Sequence, residues 1–389
     1  MKIILSVQPI KFPLTGIGRY TYELAKELER NSSINELKFI IGNNFTNKIP
    51  EAASHENKGI NMNIYINKIK HMAAKNKYIV DLYRYYKSSS TAEPFKHVDG
   101  YIYHGPNFYV PKFRGTSVVT IHDLSVLTMP QFHPRERVLY LSREIEASLA
   151  RSAMIITDSA YIKAEIVAHF NIPEDRIGVA KLACGEEFHP RSVQDTASVL
   201  KAYGLEYKVY TLYAGTIEPR KNLSALLEAY RRLPTPVRQR HPLVLAGYKG
   251  WNNTDIMTRI DRGRREGWVK YLGFVPNDEL PILYAGAKLF AFPSLYEGFG
   301  LPVLEAMASG VPVLTSDRSS LPEVGGSAVL YTIPDDVEDM RNNLERGLFD
   351  DAWRDAAIIR GTAQASRFSW KKCAEDTIAV YRAALDHQA

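Results

Sequence analysis

Cysteine is nearly absent from this chain of 389 residues: there are only Cys184 and Cys373, far apart in sequence. Two isolated thiols build neither a disulfide framework nor a zinc-ligand spacing, which points to a reducing cytosol. Long apolar runs are missing as well. No stretch approaches the roughly 20 residues of a membrane span. The opening MKIILSVQPIKF is cut by Gln8 and Pro9 before it could serve as a secretory leader. Charge of one sign is scarce: 49 Lys and Arg stand against 43 Asp and Glu, a dispersed net +6. That balance suits anionic small ligands or an anionic surface and argues against nucleic acid. No Asp-x-Asp closes a strand, so neither a divalent metal nor another cofactor is expected, and PDDVED near the C-terminus reads as a helix start. Gly16 and Gly18 are not followed by the third glycine of a dinucleotide fingerprint, which speaks against an NAD oxidoreductase.

What is present is an alternation. KIILSV, TSVVTIHDL and AMIITDS are short β-rich runs, each followed by a helical pattern. After a polar stretch over 185–205 the alternation restarts, with YTLYAG, HPLVLAG, VKYLGFV, LFAFPS and VPVLTS as the strands. Strands that alternate with helices imply parallel sheets covered on both faces. The expected fold is α/β, with two Rossmann-like doubly wound domains facing across a cleft. Residues 1–190 form the first domain, 191–366 the second, and 367–389 a C-terminal helix that packs back on the first. Strand C-termini open toward such a cleft, the default place for a ligand.

Residues 294–316, SLYEGFGLPVLEAMASGVPVLTS, are the most informative stretch. Gly298 and Gly300 allow backbone conformations closed to other residues. Pro302 fits a first helical turn, and Gly310 a helix end. A helix over about 301–309 would turn the free amides from Phe299 through Leu304 toward the cleft, where they would seat a diphosphate. Glu305, in the first turn, would accept hydrogen bonds from ribose hydroxyls, and Glu297, on the preceding loop, would reach the sugar. Arg220 and Lys221 follow a strand closed by Gly215 and can balance a departing diphosphate.

EGFGLPVLE resembles the E-x7-E signature of family 4, the retaining glycosyltransferases with the GT-B fold. GTIEPRKN is similar to that family's diphosphate loop, and GIGRY and IHD to its N-terminal elements, so the resemblance spans nearly the whole chain. There are two departures: Thr216 stands where many relatives carry arginine, and Thr15-Gly16 where many carry two glycines. The resemblance implies that Gly16 and Gly18 let the first loop approach the phosphates. It also implies that His122 reaches the donor sugar and that backbone at Val275 meets the nucleobase, with Phe274 beside it open to a core role. Asp123, and His104 and Asn107 at another strand end, are candidates for the acceptor side or for plain structure. The retaining outcome comes with the family. It implies front-face substitution without a protein nucleophile and without a metal.

GPNF, IHDLSVLTMPQFHP and GTIEPRKN look most like the mannosyltransferase branch that extends lipopolysaccharide O-antigen chains. The expectation is transfer of mannose from GDP-mannose to a lipid-linked saccharide, with GDP-rhamnose or a UDP-sugar as the alternative donor. A non-catalytic nucleotide-sugar binding subunit is the alternative of another class, but both Glu297 and Lys221 are present. Residues 68–87 carry Lys68, Lys70, Lys75, Lys77, Arg84 and Lys87 against Asp81, with Tyr78, Ile79, Leu82, Tyr83 and Tyr86 at helical spacing. This pattern suits either peripheral binding to an anionic membrane or packing on the first domain. The expected location is the cytoplasm, peripheral on the inner face of the plasma membrane.

Overall fold

The apolar runs of the sequence become strands buried on both faces. Lys2–Ser6 (β1), Tyr101–Gly105 (β4), Ser117–Ile121 (β5) and Met154–Thr157 (β6) form the middle of a first sheet, and β4 to β6 have no exposed residue. Glu36–Ile41 (β2), Asn44–Thr46 (β3) and Ile177–Val179 (β7) complete it in the order β3-β2-β1-β4-β5-β6-β7. Every pairing is parallel except β2 with β3. The second sheet is wholly parallel. Its strands are Thr211–Ala214 (β8), Leu243–Ala246 (β9), Val269–Gly273 (β10), Leu289–Phe292 (β11), Val313–Ser316 (β12) and Leu330–Thr332 (β13). Their order is β10-β9-β8-β11-β12-β13. Such strands have no solvent face to offer, which is why they read as continuous Val, Ile, Leu and Phe. The computed structural model describes residues 1–51, 95 and 98–386. The basic aromatic stretch 68–87 therefore lies outside the described residues.

Each sheet reverses its winding once, between β1 and β4 and between β8 and β11. At such a point the loops leaving two adjacent strands diverge and open a crevice. The reversal in the second sheet brings residues 215–222 beside residues 293–300. Leu295 N–H donates to Arg220 O at 2.9 Å and joins the two loops.

The polar stretch over 185–205 contains the helix Val193–Ala202. Ser192 caps it in a reciprocal box with Asp195, and it packs on the helix Leu280–Gly286. The helix Trp370–Asp386 returns to the first sheet, against β5, β6, β7 and the helix Gly16–Arg30. No described helix is long and apolar enough to cross a membrane.

Candidate active site

A cavity of about 570 Å³ separates the two sheets and is lined from both sides. Its chemistry begins at the winding reversal of the second sheet. The sequence PRK (219–221) forms a single 3-10 turn after β8, and Asn222 closes it in the left-handed region at φ 56°. The turn aims Arg220 and Lys221 at the loop that leaves β11. There Lys221 Nζ donates to Glu297 Oε1 at 2.5 Å, while Arg220 Nη1 donates to Glu297 Oε2 at 3.3 Å and to Tyr296 O at 2.6 Å. Ser294 Oγ donates to the same Glu297 Oε1 at 2.6 Å, and Ser319 Oγ accepts the Glu297 N–H at 2.8 Å. Glu218, itself buried, accepts from Arg220 Nη2 at 2.9 Å.

Two cations and two carboxylates thus balance with their side chains largely buried. Burial pushes the Glu297 carboxyl up, but Lys221 and Arg220 outweigh it and hold it below the ordinary range. Burial and the neighbouring Arg220 lower the Lys221 ammonium. A charge cluster of this kind keeps its geometry because removing any one partner leaves an uncompensated buried charge.

The helix Leu301–Ala308 starts immediately beyond Glu297. Gly300 holds φ at 113°, where a Cβ would also meet Leu321 Cδ2 at 2.8 Å. Gly300 O already accepts the N–H groups of Val303 and Leu304, and Pro302 has none. The amide mouth therefore narrows to Phe299, Gly300 and Leu301, fewer than the run from Phe299 through Leu304 read from the sequence. All three residues line the cavity. Glu305 is the fifth helical residue rather than a first-turn one. Burial raises its carboxyl to about 7, opposed by Arg19 from the first lobe and by Tyr284.

The first lobe contributes His122 and Asp123, which leave β5. His122 Nδ1 meets Asp158 Oδ2 at 2.7 Å, and Nε2 meets Pro106 O at 2.8 Å. Pro106 O only accepts, so Nε2 donates to it, and Nδ1 shares a proton with the Asp158 carboxyl, itself raised by burial. Burial lowers the pKa of His122, but the Asp158 carboxylate raises it further, with a net rise. Gly298 packs against the carbonyl of His122 so closely that a Cβ there would lie 1.8 Å from His122 O. Ser159 Oγ donates to Gly298 O at 2.8 Å and stitches the same junction.

Residues 200–363 match the family model described as glycosyl transferases group 1. The O-antigen chain mannosyltransferase B of Escherichia coli is 44% identical over 382 residues, covering 98% of this chain and all of that protein. The serotype-specific mannosyltransferase WbdA of Escherichia coli is 35% identical over 285 residues, 72% of this chain but only 34% of that longer protein. The crystal structure of Anabaena HepE in complex with UDP and glucose superimposes with a TM-score of 0.67 at 16% identity, covering 98% of this chain and 99% of that one. The chain belongs to the group 1 glycosyltransferases. The fold shared with that neighbour is GT-B.

Of the residues singled out from the sequence, this glycosyltransferase gathers Glu297, Arg220, Lys221, His122, Asp123, Gly16, Val275, Phe299, Gly300, Leu301 and Glu305 around the cavity. Gly18 is outside the lining: its missing Cβ makes room for Pro9 O, 3.1 Å from where that atom would be, so it serves close packing. His104 is fully buried behind the sheet, between Tyr381 Oη at 2.7 Å and Thr120 Oγ1 at 2.8 Å, and burial lowers it to about 3. It holds the C-terminal helix to β4 and cannot reach the cleft. Asn107 is not among the lining residues either. Phe274 is no core residue: it is 43% exposed and stacks on Tyr248 with ring centres 4.9 Å apart, both on the cleft wall.

Sequence reading missed Glu218, Ser294, Asp158, Arg19 and Ser319. Ser294 and Glu218 stood inside quoted motifs, and a polar residue buried at a strand end was the available signal. Asp158, in AMIITDS, follows the strand Met154–Thr157 in the same way. Its pairing with His122 spans 36 positions and no local pattern carries it. Among the described residues no group of three or more His, Cys, Asp or Glu could hold a metal ion.

Proposed function

We propose that this glycosyltransferase moves mannose, with retention, from GDP-mannose to a saccharide acceptor in the assembly of an O-antigen or similar surface polysaccharide. The observation that carries the reading is Glu297 held between Lys221 and Arg220 at the amide mouth of the helix Leu301–Ala308. The full-length similarity to an O-antigen mannosyltransferase supports the sugar and the polymer.

In this reading the donor diphosphate sits on the amides of Phe299, Gly300 and Leu301. Arg220 and Lys221 turn from Glu297 to the phosphate oxygens, and Glu297, released from one partner, accepts hydrogen bonds from the sugar. Glu305 accepts from the ribose, and backbone at Val275 faces the base. The bond from the anomeric carbon to the phosphate oxygen breaks while the acceptor oxygen bonds to the same carbon from the same face. The acceptor proton passes to the departing phosphate. The cations stabilise charge that grows as the bond breaks, which is where preorganised donors act most strongly. Residues 1–190 with the returning helix serve the acceptor side and residues 191–366 the donor. Peripheral association with the inner face of the plasma membrane belongs to the same reading, and sedimentation with anionic liposomes tests it.

The decisive assay is transfer from GDP-mannose, GDP-rhamnose and UDP-sugars to mannosides, read by product mass and anomeric NMR. The reading stands on an α-mannosyl product from the GDP-mannose arm. It fails if another donor is the better substrate or if the anomeric configuration inverts.

A further inference from the structure

The cavity that Arg220 lines is also lined by Trp251, Arg137 and Asp123, residues to which the proposed mechanism gives no part. Trp251, in the loop after β9, reaches across to the first lobe and donates its indole N–H to Phe132 O at 2.6 Å. Arg137, from the helix Arg135–Arg151, lays its guanidinium over that indole, 4.9 Å from the ring centre. Among the described residues Arg137 makes no ion pair and no hydrogen bond, so all five of its N–H donors are available. Asp123 stands beside it. Its Oδ1 accepts from Ser125 N–H at 3.0 Å and Ser125 Oγ at 2.7 Å, which leaves Oδ2 open. Arg220 and Arg137 both help to hold this carboxyl below its ordinary range, so an anionic acceptor stands next to the Glu297 cluster.

The layer behind is polar as well. Ser125 Oγ gives its proton to Asp123, so it can only accept from His133 Nε2, 3.0 Å away. Nε2 thus carries a proton, and burial lowers the ring to about 4, so at neutral pH Nδ1 is the bare nitrogen. The ring is buried, tilted against Trp251 at 5.8 Å, and Nδ1 has no partner. A flat apolar ring, a donor-only group and an acceptor-only group thus face one space. A neutral pyranose fits that set: its C–H face covers an indole, and its hydroxyls both accept and donate. A phosphate fits it poorly, because Asp123 would repel it.

We propose that Trp251, Arg137 and Asp123 form the subsite for the terminal sugar of a neutral saccharide acceptor, so that acceptor recognition is shared between the two lobes. The inference rests on the glycosyl-transfer reading of the cleft and deepens it. Arg137, exposed and unpaired, swings off the indole as the sugar enters. Because Trp251 comes from the donor lobe, the subsite is complete only when the lobes stand at the separation seen here. Trp251 and Arg137 position the acceptor and take no part in bond breaking.

The test uses the full chain with GDP present and measures binding of a neutral mannobioside by ligand-observed NMR, beside GDP affinity by calorimetry. Arg137→Ala and Trp251→Leu should each weaken mannobioside binding about tenfold or more, with GDP affinity within about twofold of the parent. Arg137→Lys should recover part of the loss. Arg137 is a surface residue, so its replacement leaves the fold intact, and a thermal melt checks Trp251→Leu. The proposal is overturned if the parent binds no mannobioside, if Arg137→Ala keeps its affinity, if GDP and saccharide weaken together, or if only phosphorylated saccharides respond. Parent binding that both variants lose, combined with no transfer from GDP-mannose, would sink the donor reading and leave this one standing.

Discussion

Glu297 and Glu305 line the same cleft, yet their surroundings pull their carboxyls in opposite directions. Glu297 has two cations and a serine hydroxyl within hydrogen-bond reach, and it stays ionised despite burial. Glu305 is raised by burial and by Glu187 against Arg19 and Tyr284, and Arg19 is already engaged by that same Glu187. The difference shows how one helix entrance can carry two anions with separate duties. The first is part of a balanced ionic cluster, and in the proposed mechanism its partners are exchanged for phosphate. The second is poised to titrate near neutrality, and a pair of hydroxyls would draw it to the charged form.

The strongest way to break this comparison is to remove the charge at the balanced end. Glu297→Gln keeps the shape and the link to Ser294 but takes from Lys221 its ion-pair partner and leaves Arg220 paired with Glu218. Turnover should fall at least about 100-fold, the scale for losing a preorganised polar contact at the reacting centre, while GDP still binds in calorimetry. Parent-like turnover would remove Glu297 from the mechanism. Next comes Gly298→Ala, whose methyl must displace the carbonyl of His122 from the other lobe. A drop of roughly 10-fold or more in kcat/KM is expected, with a larger radius of gyration in solution scattering. An unchanged radius with full activity would show that the lobes do not need this contact.

A smaller effect is expected from Asp158→Asn. His122 loses its hydrogen-bonded carboxyl and keeps only the field of Asp123, so the ring should titrate at lower pH and its NMR signals should reveal the shift. Activity should decline about threefold to tenfold above the new pKa, in line with the worth of a charge-assisted hydrogen bond. The smallest effect concerns the poised end. The folded pKa of Glu305 lies near 7, above an unfolded carboxyl, so its contribution to stability is full at low pH and is lost as pH rises toward 7. Glu305→Gln should accordingly raise Tm by a few degrees at pH 8 and hardly at all at pH 4. In the parent, GDP affinity should improve from pH 6 to pH 8, and the variant should lack that step. A step of equal size in the variant would assign the titration elsewhere.

Much of the frame was legible because a parallel strand must be apolar along its whole length. KIILSV, TSVVTI, MIIT, LVLA, LFAF and VLTS announce themselves this way. β2, ELKFII, was overlooked because Glu36 and Lys38 interrupt it, and it pairs through one edge with the short antiparallel β3. β7 and β13, of three residues each, are too short for a pattern. At the site, the glycines, Pro302 and the two glutamates could be read because turn and helix-start chemistry is local. The exchange between Lys221 and Glu297 was not, since it joins loops 76 residues apart through the winding reversal of the sheet. His104 misled for the same reason: a histidine at a strand end looks the same in a cleft as under a helix that arrives 277 residues later.

That late arrival bears on how the molecule is made. The helix Trp370–Asp386 covers β5, β6 and β7 and gives Tyr381 to His104, so a lobe synthesised early waits for a stretch that leaves the ribosome only after the strands of the second lobe. Until then β5, β6 and β7 lack this cover, while the second lobe already holds all the strands of its own. The nascent chain should thus complete its two lobes in the reverse of the order in which they are written, the second lobe first and the first lobe when the helix Trp370–Asp386 closes over it.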